Sequence, residues 1–410
     1  MNRRVVVTGM AGLSPIGCTW EDARDHLLHG KTGIRRKPEY AEVRGLDCRL
    51  AAPVHGFQQP KHYHRRKTRS MGRVALLSVR ASELALEMAG LLESPILTSG
   101  RVGVAFGSTT GSPPAIETYA RQIGVHKTLH GITAAEFVRL MSHTCAPNIA
   151  QFFGTTGRIL PTCSACTSGS QGIGYAYESV KWGLQDVMIA GGAEELHVIP
   201  TAVFDIMHAT STGYENPSQT PRPFDEKRDG LVVGEGAASL ILESLEHAQA
   251  RGAAIYAEIV GFATNGDGRH IVNPAQEDMA IVMQEALKDA SLSPENIDYV
   301  NAHGTATDVG DVTETAATLS VFQRPIPISS LKGHMGHTLG ACGALEAWLC
   351  INMMNEGFLA PTLNLEKVDP RCAELDYITQ IRKVETQHFM TNNFAFGGVN
   401  TSLIFKKWDS

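Results

Sequence analysis

Cys166 stands in the run Pro161-Thr162-Cys163-Ser164-Ala165-Cys166-Thr167-Ser168-Gly169-Ser170, among small residues and just ahead of a helical pattern through Ile173, Tyr177 and Val180. A cysteine at a helix N-terminus faces unpaired backbone N–H groups and the positive end of the helix dipole. Such a position favours thiolate by about 0.5–2 kcal/mol, or roughly one pKa unit. Small neighbours also leave room for a carbonyl to approach. Residue type alone favours a buried structural cysteine. The Cys163-x-x-Cys166 spacing fits a redox pair or half a zinc site, but no second CxxC occurs in the chain.

Two histidine-bearing segments carry further chemistry. In Val300-Asn301-Ala302-His303-Gly304-Thr305-Ala306-Thr307-Asp308 an apolar strand ends at Asn301, so His303 projects from a loop at the C-terminal edge of a sheet, where ligands of α/β proteins gather. Thr305 and Thr307, two residues apart, offer hydroxyls on one side of an extended loop, suited to a polar, amide-bearing arm. The bland reading is a capping loop before a helix beginning near Asp311. In Ser329-Ser330-Leu331-Lys332-Gly333-His334-Met335-Gly336-His337 another short strand ends in a glycine-punctuated loop, now with a lysine and two histidines. His334-x-x-His337 has metal-ligand spacing, yet neither an HExxH motif nor a dense carboxylate cluster accompanies it. Glu346, nine residues beyond His337, can turn back toward Lys332 as an orienting partner.

The elements that position these groups alternate along the chain. Strand-like runs fall at Arg4–Thr8, Arg101–Phe106, Asp186–Ala190, Ala238–Leu242, Tyr256–Gly261, Tyr299–Asn301, Ile326–Ser329 and Ser402–Phe405. Apolar residues three and four apart predict helices over Val74–Met88, Ser170–Trp182, Asp278–Ala290 and Leu339–Met354. Alternation of this kind indicates an α/β fold with mostly buried sheets. No low-complexity linker divides the chain. The nearest seam is Glu243–Ile255, read as a charged helix, and a weak echo between Val5–Gly9 and Glu258–Gly261 hints at two similar halves.

Bulk properties exclude several classes. The 410 residues are 43% hydrophobic and 19% charged, too apolar for disorder and long enough for a large core. A net charge of −6 argues against a nucleic-acid partner. No apolar run approaches the roughly 18 residues that span a bilayer, and Met1-Asn2-Arg3-Arg4 leads straight into a strand rather than a signal peptide. Eight cysteines without disulfide-scaffold spacing suit reduced thiols in a cytoplasmic protein.

With these motifs in view, the chain resembles the β-ketoacyl-[acyl-carrier-protein] synthases of the type I/II group (the KAS II-like kind) in the thiolase-like superfamily. The likeness runs from Val5-Val6-Val7-Thr8-Gly9-Met10 through Cys166-Thr167-Ser168-Gly169, Ala190-Gly191-Gly192-Ala193-Glu194 and Arg222-Pro223-Phe224-Asp225. It continues through His303-Gly304-Thr305 and the Lys332/His337 loop to Asn393-Phe394-Ala395-Phe396-Gly397-Gly398. The resemblance implies a five-layered αβαβα fold from two pseudo-repeated halves, residues 1–252 with the nucleophile cysteine and 253–410 with the histidine pair. It further implies Cys166 as the acylated nucleophile, His303, His337 and Lys332 as its catalytic companions, and Glu346 as an orienting residue. Thr305 and Thr307 match contacts to the phosphopantetheine arm, and Phe396 and Gly397 belong to the gating loop. The implied reaction is decarboxylative Claisen condensation of an acyl-cysteine with malonyl-carrier, needing no metal and no cofactor beyond the carrier's own arm. Backbone N–H groups of Cys166 and Phe396 would hold the second oxyanion.

Implied partners are acyl carrier protein, delivering acyl and malonyl groups, and a second subunit, either an identical chain or a homologue. Carriers are acidic, so the basic stretch around Arg65-Arg66-Lys67-Thr68-Arg69 is a docking candidate, with Arg66 and Arg69 best matched. A non-catalytic chain-length-factor-like partner subunit is the competing reading, although it would lack the nucleophile. Type III synthases resemble a Cys-His-Asn set and thiolases carry a second cysteine, where this chain has His337 and no cysteine beside Phe396. Two departures stand out. Ala395 occupies a usual glycine position, where a Cβ would restrict a positive φ, and His334 is an extra histidine near the site. Both bear on the acyl substrate, fatty acid or polyketide and polyene, rather than on the reaction.

Overall fold

The computed structural model describes residues 2–213, 215–269, 271 and 274–409. Eleven strands form its main sheet: β1 (Val5–Leu13), β2 (Val102–Gly107), β3 (Ile159–Thr162), β4 (Val187–Glu194), β5 (Gly236–Ser244), β6 (Ala257–Gly266), β7 (Tyr299–Asn301), β8 (Pro327–Ser329), β9 (Asp376–Tyr377), β10 (His388–Phe394) and β11 (Val399–Lys407). Six helices pack on it: α1 (Arg73–Met88), α2 (Cys145–Phe153), α3 (Ser168–Lys181), α4 (Gln276–Ala290), α5 (Asp308–Phe322) and α6 (Cys342–Glu356).

Strand order is β9-β8-β7-β10-β11-β6-β1-β5-β4-β2-β3. On the N-terminal side, β1 and β4 both run antiparallel to β5, while β2 lies parallel to β4 and β3. On the C-terminal side, β6 and β10 run antiparallel to β11, while β7 lies parallel to β10 and β8. The same five-strand pattern therefore occurs twice. The two copies meet where β1 pairs antiparallel with β6 over Val5↔Ile259, Val6↔Glu258 and Val7↔Ala257.

Helix burial identifies the layers. Twelve of the 14 residues of α3 and twelve of the 15 of α6 are buried, so both helices are covered all round. Each touches strands of both halves and the other helix, which makes them the central layer. Helix α1 lies on β1 and β5 with α2 beside it, and α4 covers β6 and β11 with α5 beside it, giving the outer layers. The result is the five-layered αβαβα arrangement. Close approach depends on small residues: a Cβ on Gly9 would lie 2.2 Å from the Ala85 carbonyl of α1, and one on Gly172 would lie 2.5 Å from the Gly191 carbonyl.

Several boundaries differ from the sequence reading. Glu243 and Ser244 complete β5, and only Leu245–Ala250 is helical, capped where the Ser244 side chain accepts from the His247 N–H. Helix α6 begins at Cys342 after a 3₁₀ turn over Leu339–Ala341, and α5 begins at Asp308. Strands β3, β9 and β10 have no counterpart in the sequence reading. Pro161 masks β3, and its place on the sheet edge is where a strand tolerates proline.

Candidate active site

Strand β3 ends at Thr162, and Cys166 follows in a single 3₁₀ turn, Ala165–Thr167, on which α3 begins. Ala165 is held at φ +49°, a left-handed conformation that costs an L-residue roughly 1–2 kcal/mol. Side chains within the segment hold the turn. Ser168 Oγ donates to the Ala165 carbonyl (2.7 Å), the Ser164 N–H donates to Ser168 Oγ (3.0 Å), and Thr162 Oγ1 donates to the Ser168 carbonyl (2.7 Å). The Cys166 side chain lies buried at the base of a cavity of about 360 Å³.

Burial pushes the Cys166 thiol up to about 11, opposed by the Phe396 backbone N–H, the Lys332 charge and the backbone N–H of Cys166 itself. The helix N-terminus alone would lower it, so the expectation of a depressed pKa is corrected: desolvation of a thiolate exceeds one dipole end. Both backbone N–H groups favour the thiolate form of the cysteine.

His303 follows β7 and the Lys332/His337 loop follows β8, so both histidines leave the C-terminal edge of parallel strands. His337 Nε2 lies 3.0 Å from Cys166 Sγ, and the two imidazoles meet edge to face with centroids 5.1 Å apart. What stands behind each ring fixes its tautomer. The Leu339 N–H donates to His337 Nδ1 at 3.3 Å, so the proton of His337 is on Nε2, facing the sulfur. His303 Nδ1 faces the Lys332 ammonium and the Asn393 amide N–H₂, each at 3.4 Å, which leaves its Nε2–H for the cavity. Burial drives both imidazoles well below their usual range, and the Lys332 charge drives them further. Both rings are therefore neutral donors.

Lys332 and Glu346 form a buried pair, with Nζ 2.5 Å from Oε1. Burial opposes the Lys332 ammonium, but the Glu346 carboxylate outweighs it and holds the pKa above its ordinary value. The Asn393 amide donates to Glu346 Oε2 at 2.7 Å. Behind the His303 loop, the Glu314 carboxylate accepts the backbone N–H groups of His303 and Gly304, both at 2.7 Å. Burial raises Glu314 to about 8.

Cys166, His303 and His337 offer ligand atoms within 4.8 Å of one another, a spacing a metal ion could use. The groups behind the rings argue otherwise. A metal-bound histidine donates its second N–H to a carboxylate or carbonyl, whereas here both Nδ1 atoms face donors. The cluster is wired for donation to an anion. The other histidine of the loop points elsewhere: His334 Nδ1 faces the Lys31 carbonyl (3.1 Å) and Nε2 faces the Pro361 carbonyl (3.3 Å), tying down the chain outside the cavity.

Thr305 and Thr307 line the cavity with their hydroxyls 2.9 Å apart, although the loop between them is not extended as the sequence reading has it, Ala306 standing at φ +65°. Phe396 lines it and is 38% exposed. Gly397 does not line the wall; it sits exposed on the outer side of the turn at φ +94°, and Gly398 takes the inner position. Ala395 lies outside the left-handed region, which falls instead on Gly397 and Gly398, so its Cβ imposes no strain of the expected kind. Arg66 and Arg69 are exposed, in and just after the short helix Arg65–Thr68. Sequence reasoning assigned no role to Asn393, Glu314 or Cys342. Asn393 opens the glycine-rich loop and was legible only as part of that motif, while Glu314 and Cys342 carried no signal.

The profile of the beta-ketoacyl synthase N-terminal domain matches residues 2–248, and that of the C-terminal domain matches residues 256–366. The chain is 37% identical to the 3-oxoacyl-[acyl-carrier-protein] synthase 2 of Vibrio cholerae, with 99% of each chain covered. It is 36% identical to the 3-oxoacyl-[acyl-carrier-protein] synthase 1 of Haemophilus influenzae, with 99% of this chain and 100% of the relative covered. Among solved structures, a beta-ketoacyl synthase from Burkholderia phymatum superposes with a TM-score of 0.98 at 53% identity, covering 99% of this chain and all of that one. The ishigamide ketosynthase/chain length factor gives 0.92 at 30% identity, with both chains covered in full.

Proposed function

Because the chain belongs to the beta-ketoacyl synthase family, we propose that it is a β-ketoacyl-[acyl-carrier-protein] synthase in which Cys166 carries the growing acyl group. The observation that carries this reading is the pair of neutral imidazoles aimed, as N–H donors, at the space beside the cysteine sulfur.

In the first step Cys166 attacks the thioester of an acyl-carrier and the carrier thiol leaves. The backbone N–H groups of Cys166 and Phe396 hold the tetrahedral oxyanion, and one difficult transfer becomes two easier ones. Malonyl-carrier then enters, its phosphopantetheine amides meeting Thr305 and Thr307. Its carboxylate leaves as carbon dioxide, and the electron pair of the broken bond becomes an enolate whose oxygen is held by His303 and His337. Each such donor is typically worth about 3 kcal/mol of barrier. The enolate carbon attacks the acyl carbonyl, the Cys166 thiolate departs, and a β-ketoacyl-carrier is released. Lys332, held by Glu346, which in turn accepts from Asn393, keeps His303 in its donor tautomer. None of these steps calls on a cofactor beyond the carrier's arm.

The halves are taken as residues 1–252 and 253–410, which the doubled five-strand pattern supports. Acyl carrier protein is the partner, docking on the exposed Arg66 and Arg69. A second subunit completes the assembly, identical to this chain or homologous to it. Among the described residues no helix is long and apolar enough to cross a membrane, in keeping with a cytoplasmic enzyme. A chain-length-factor role is disfavoured by the cysteine at the cavity base.

Incubation with acyl-carrier followed by intact mass tests the reading. The protein gains one acyl mass, Cys166→Ala gains none, and His337→Ala is acylated yet releases no carbon dioxide from malonyl-carrier. A wild-type protein that stays unmodified across several acyl lengths would overturn the proposal.

A further inference from the structure

Cys342, the first residue of α6, is wholly buried and does not line the cavity. Its thiol donates to the backbone carbonyl of Cys166, with Sγ 3.2 Å from the oxygen. Its sulfur also lies 3.6 Å from the Asn393 amide nitrogen, which donates to Glu346 and faces His303. One side chain therefore links the nucleophile's turn, in the N-terminal half, to the lysine–glutamate–histidine network of the C-terminal half. The turn it holds needs support, because Ala165 is in a left-handed conformation. The hydrogen bonds from Thr162, Ser164 and Ser168 lie within the segment itself. They keep the turn's shape but cannot fix where it stands relative to the histidines.

We propose that Cys342 is a positioning residue for the condensation: by clasping the Cys166 carbonyl it sets the nucleophile against His337 and the oxyanion donors. The inference rests on Cys166 being the acylated nucleophile. A displacement of this carbonyl rotates the Cys166 side chain and the N–H donor that belongs to the same residue, so the thiolate and its oxyanion hole move together. A polar donor is required at position 342, and a hydroxyl can replace the thiol because it offers the same donor and an acceptor toward Asn393.

The test compares Cys342→Ala and Cys342→Ser with wild type. Three readouts apply: the rate of Cys166 acylation by acyl-carrier under intact mass, the steady-state kcat and KM for malonyl-carrier, and the pH profile of Cys166 alkylation by iodoacetamide, followed by peptide mass. Expected for Cys342→Ala is a fall of about fivefold to tenfold in acylation rate and kcat, from the loss of one neutral hydrogen bond, with KM unchanged. The alkylation profile moves to higher pH because the displaced sulfur loses part of its contact with His337 Nε2–H and with the backbone groups that favour its thiolate. Cys342→Ser stays within twofold of wild type on all three. If Cys342→Ala behaves as wild type, or Cys342→Ser is as impaired as Cys342→Ala, the positioning role is wrong. Should Cys342→Ala not fold, Cys342→Ser alone decides: activity within twofold of wild type supports the role, and its loss overturns it. A wild-type protein that takes no acyl group defeats the nucleophile reading instead, so the two failures are separable.

Discussion

Glu346→Gln isolates the buried ion pair behind the histidines. In the wild type the Lys332 and Glu346 side chains are 1% and 0% exposed, with Nζ 2.5 Å from Oε1. Glutamine keeps the shape and removes the charge, leaving an ammonium in the core without its direct partner. Breaking such a pair costs about 3–5 kcal/mol, a large share of the ~5–15 kcal/mol that keeps a domain folded. Urea unfolding at pH 7 should show that loss. The sign of the pH dependence follows from the lysine. Without Glu346, burial lowers the folded-state pKa of Lys332 below its unfolded value of about 10.4, so the folded variant binds fewer protons than the unfolded chain. Its stability therefore climbs relative to wild type as pH rises through that lowered pKa toward about 10.4. In the wild type Lys332 lies above its ordinary value, so its contribution is intact through that window and fades only beyond it. The gap between the two proteins must narrow as pH rises. Replacing both partners, as Lys332→Met with Glu346→Leu, should recover at least half of the lost stability while leaving the enzyme inactive. Acylation of Cys166 by acyl-carrier should survive Glu346→Gln, because the His337 contact is untouched, while carbon dioxide release falls. A Glu346→Gln protein within about 0.5 kcal/mol of wild type at pH 7, or a gap that does not change with pH, would refute the reasoning.

Three further outcomes follow from the same geometry. Because burial holds the Cys166 thiol at about 11, its alkylation rate should climb about tenfold per pH unit from 7 to 10; a plateau below pH 8 would show a thiolate already formed. Burial raises Glu194 to about 7, ahead of the Thr109 and Gly340 groups that favour its charge. The folded state therefore holds a proton that the unfolded chain gives up near pH 4.5, and stability falls by about 3 kcal/mol as pH rises from 4.5 through 7. Unfolding at pH 5 and pH 8 should show a fall in stability in wild type that Glu194→Gln reduces by about 3 kcal/mol, the remaining fall coming from Glu314, which burial also raises. Reversing Arg66 and Arg69 to glutamate should raise KM for carrier substrates at least about tenfold and flatten its salt dependence, with kcat unaltered; unchanged carrier kinetics would remove the patch from the docking surface.

What could be read from the chain itself was local. Each histidine loop announced itself as a short apolar run closing into glycine, and β7 falls where the sequence placed it because Tyr299–Asn301 is apolar and bounded. The doubling of the fold was barely visible, since β3 and β10 are disguised by Pro161 and by the polar Thr391, Asn392 and Asn393. Those polar residues are buried because β10 is covered on both faces, Asn393 meeting Glu346 of α6 and Asn392 meeting Met283 of α4, which no period in the sequence reports. In the site, residue types proclaimed Cys166, His303, His337 and Lys332, but protonation states depended on burial. The thiol expected to be acidic is held neutral, and His334 turns to two carbonyls that sequence spacing could not bring near. Cys342 and Glu314 became visible only once α5 and α6 brought them against the catalytic loops.

The donors that stand behind both imidazoles decide how protons travel through the proposed cycle. With Nδ1 of each ring accepting, neither ring keeps a lone pair on the cavity side, so neither takes the Cys166 proton. During acyl loading that proton departs with the outgoing carrier thiol, sulfur for sulfur. During condensation carbon dioxide leaves without one, and the expelled Cys166 thiolate must gain a proton before the next turnover. The whole cycle thus consumes a single proton, and the group that captures it is the sulfur whose hunger for protons burial has sharpened. The histidines form a fixed polar mould around the chemistry, and of these three groups it is the cysteine that exchanges a proton.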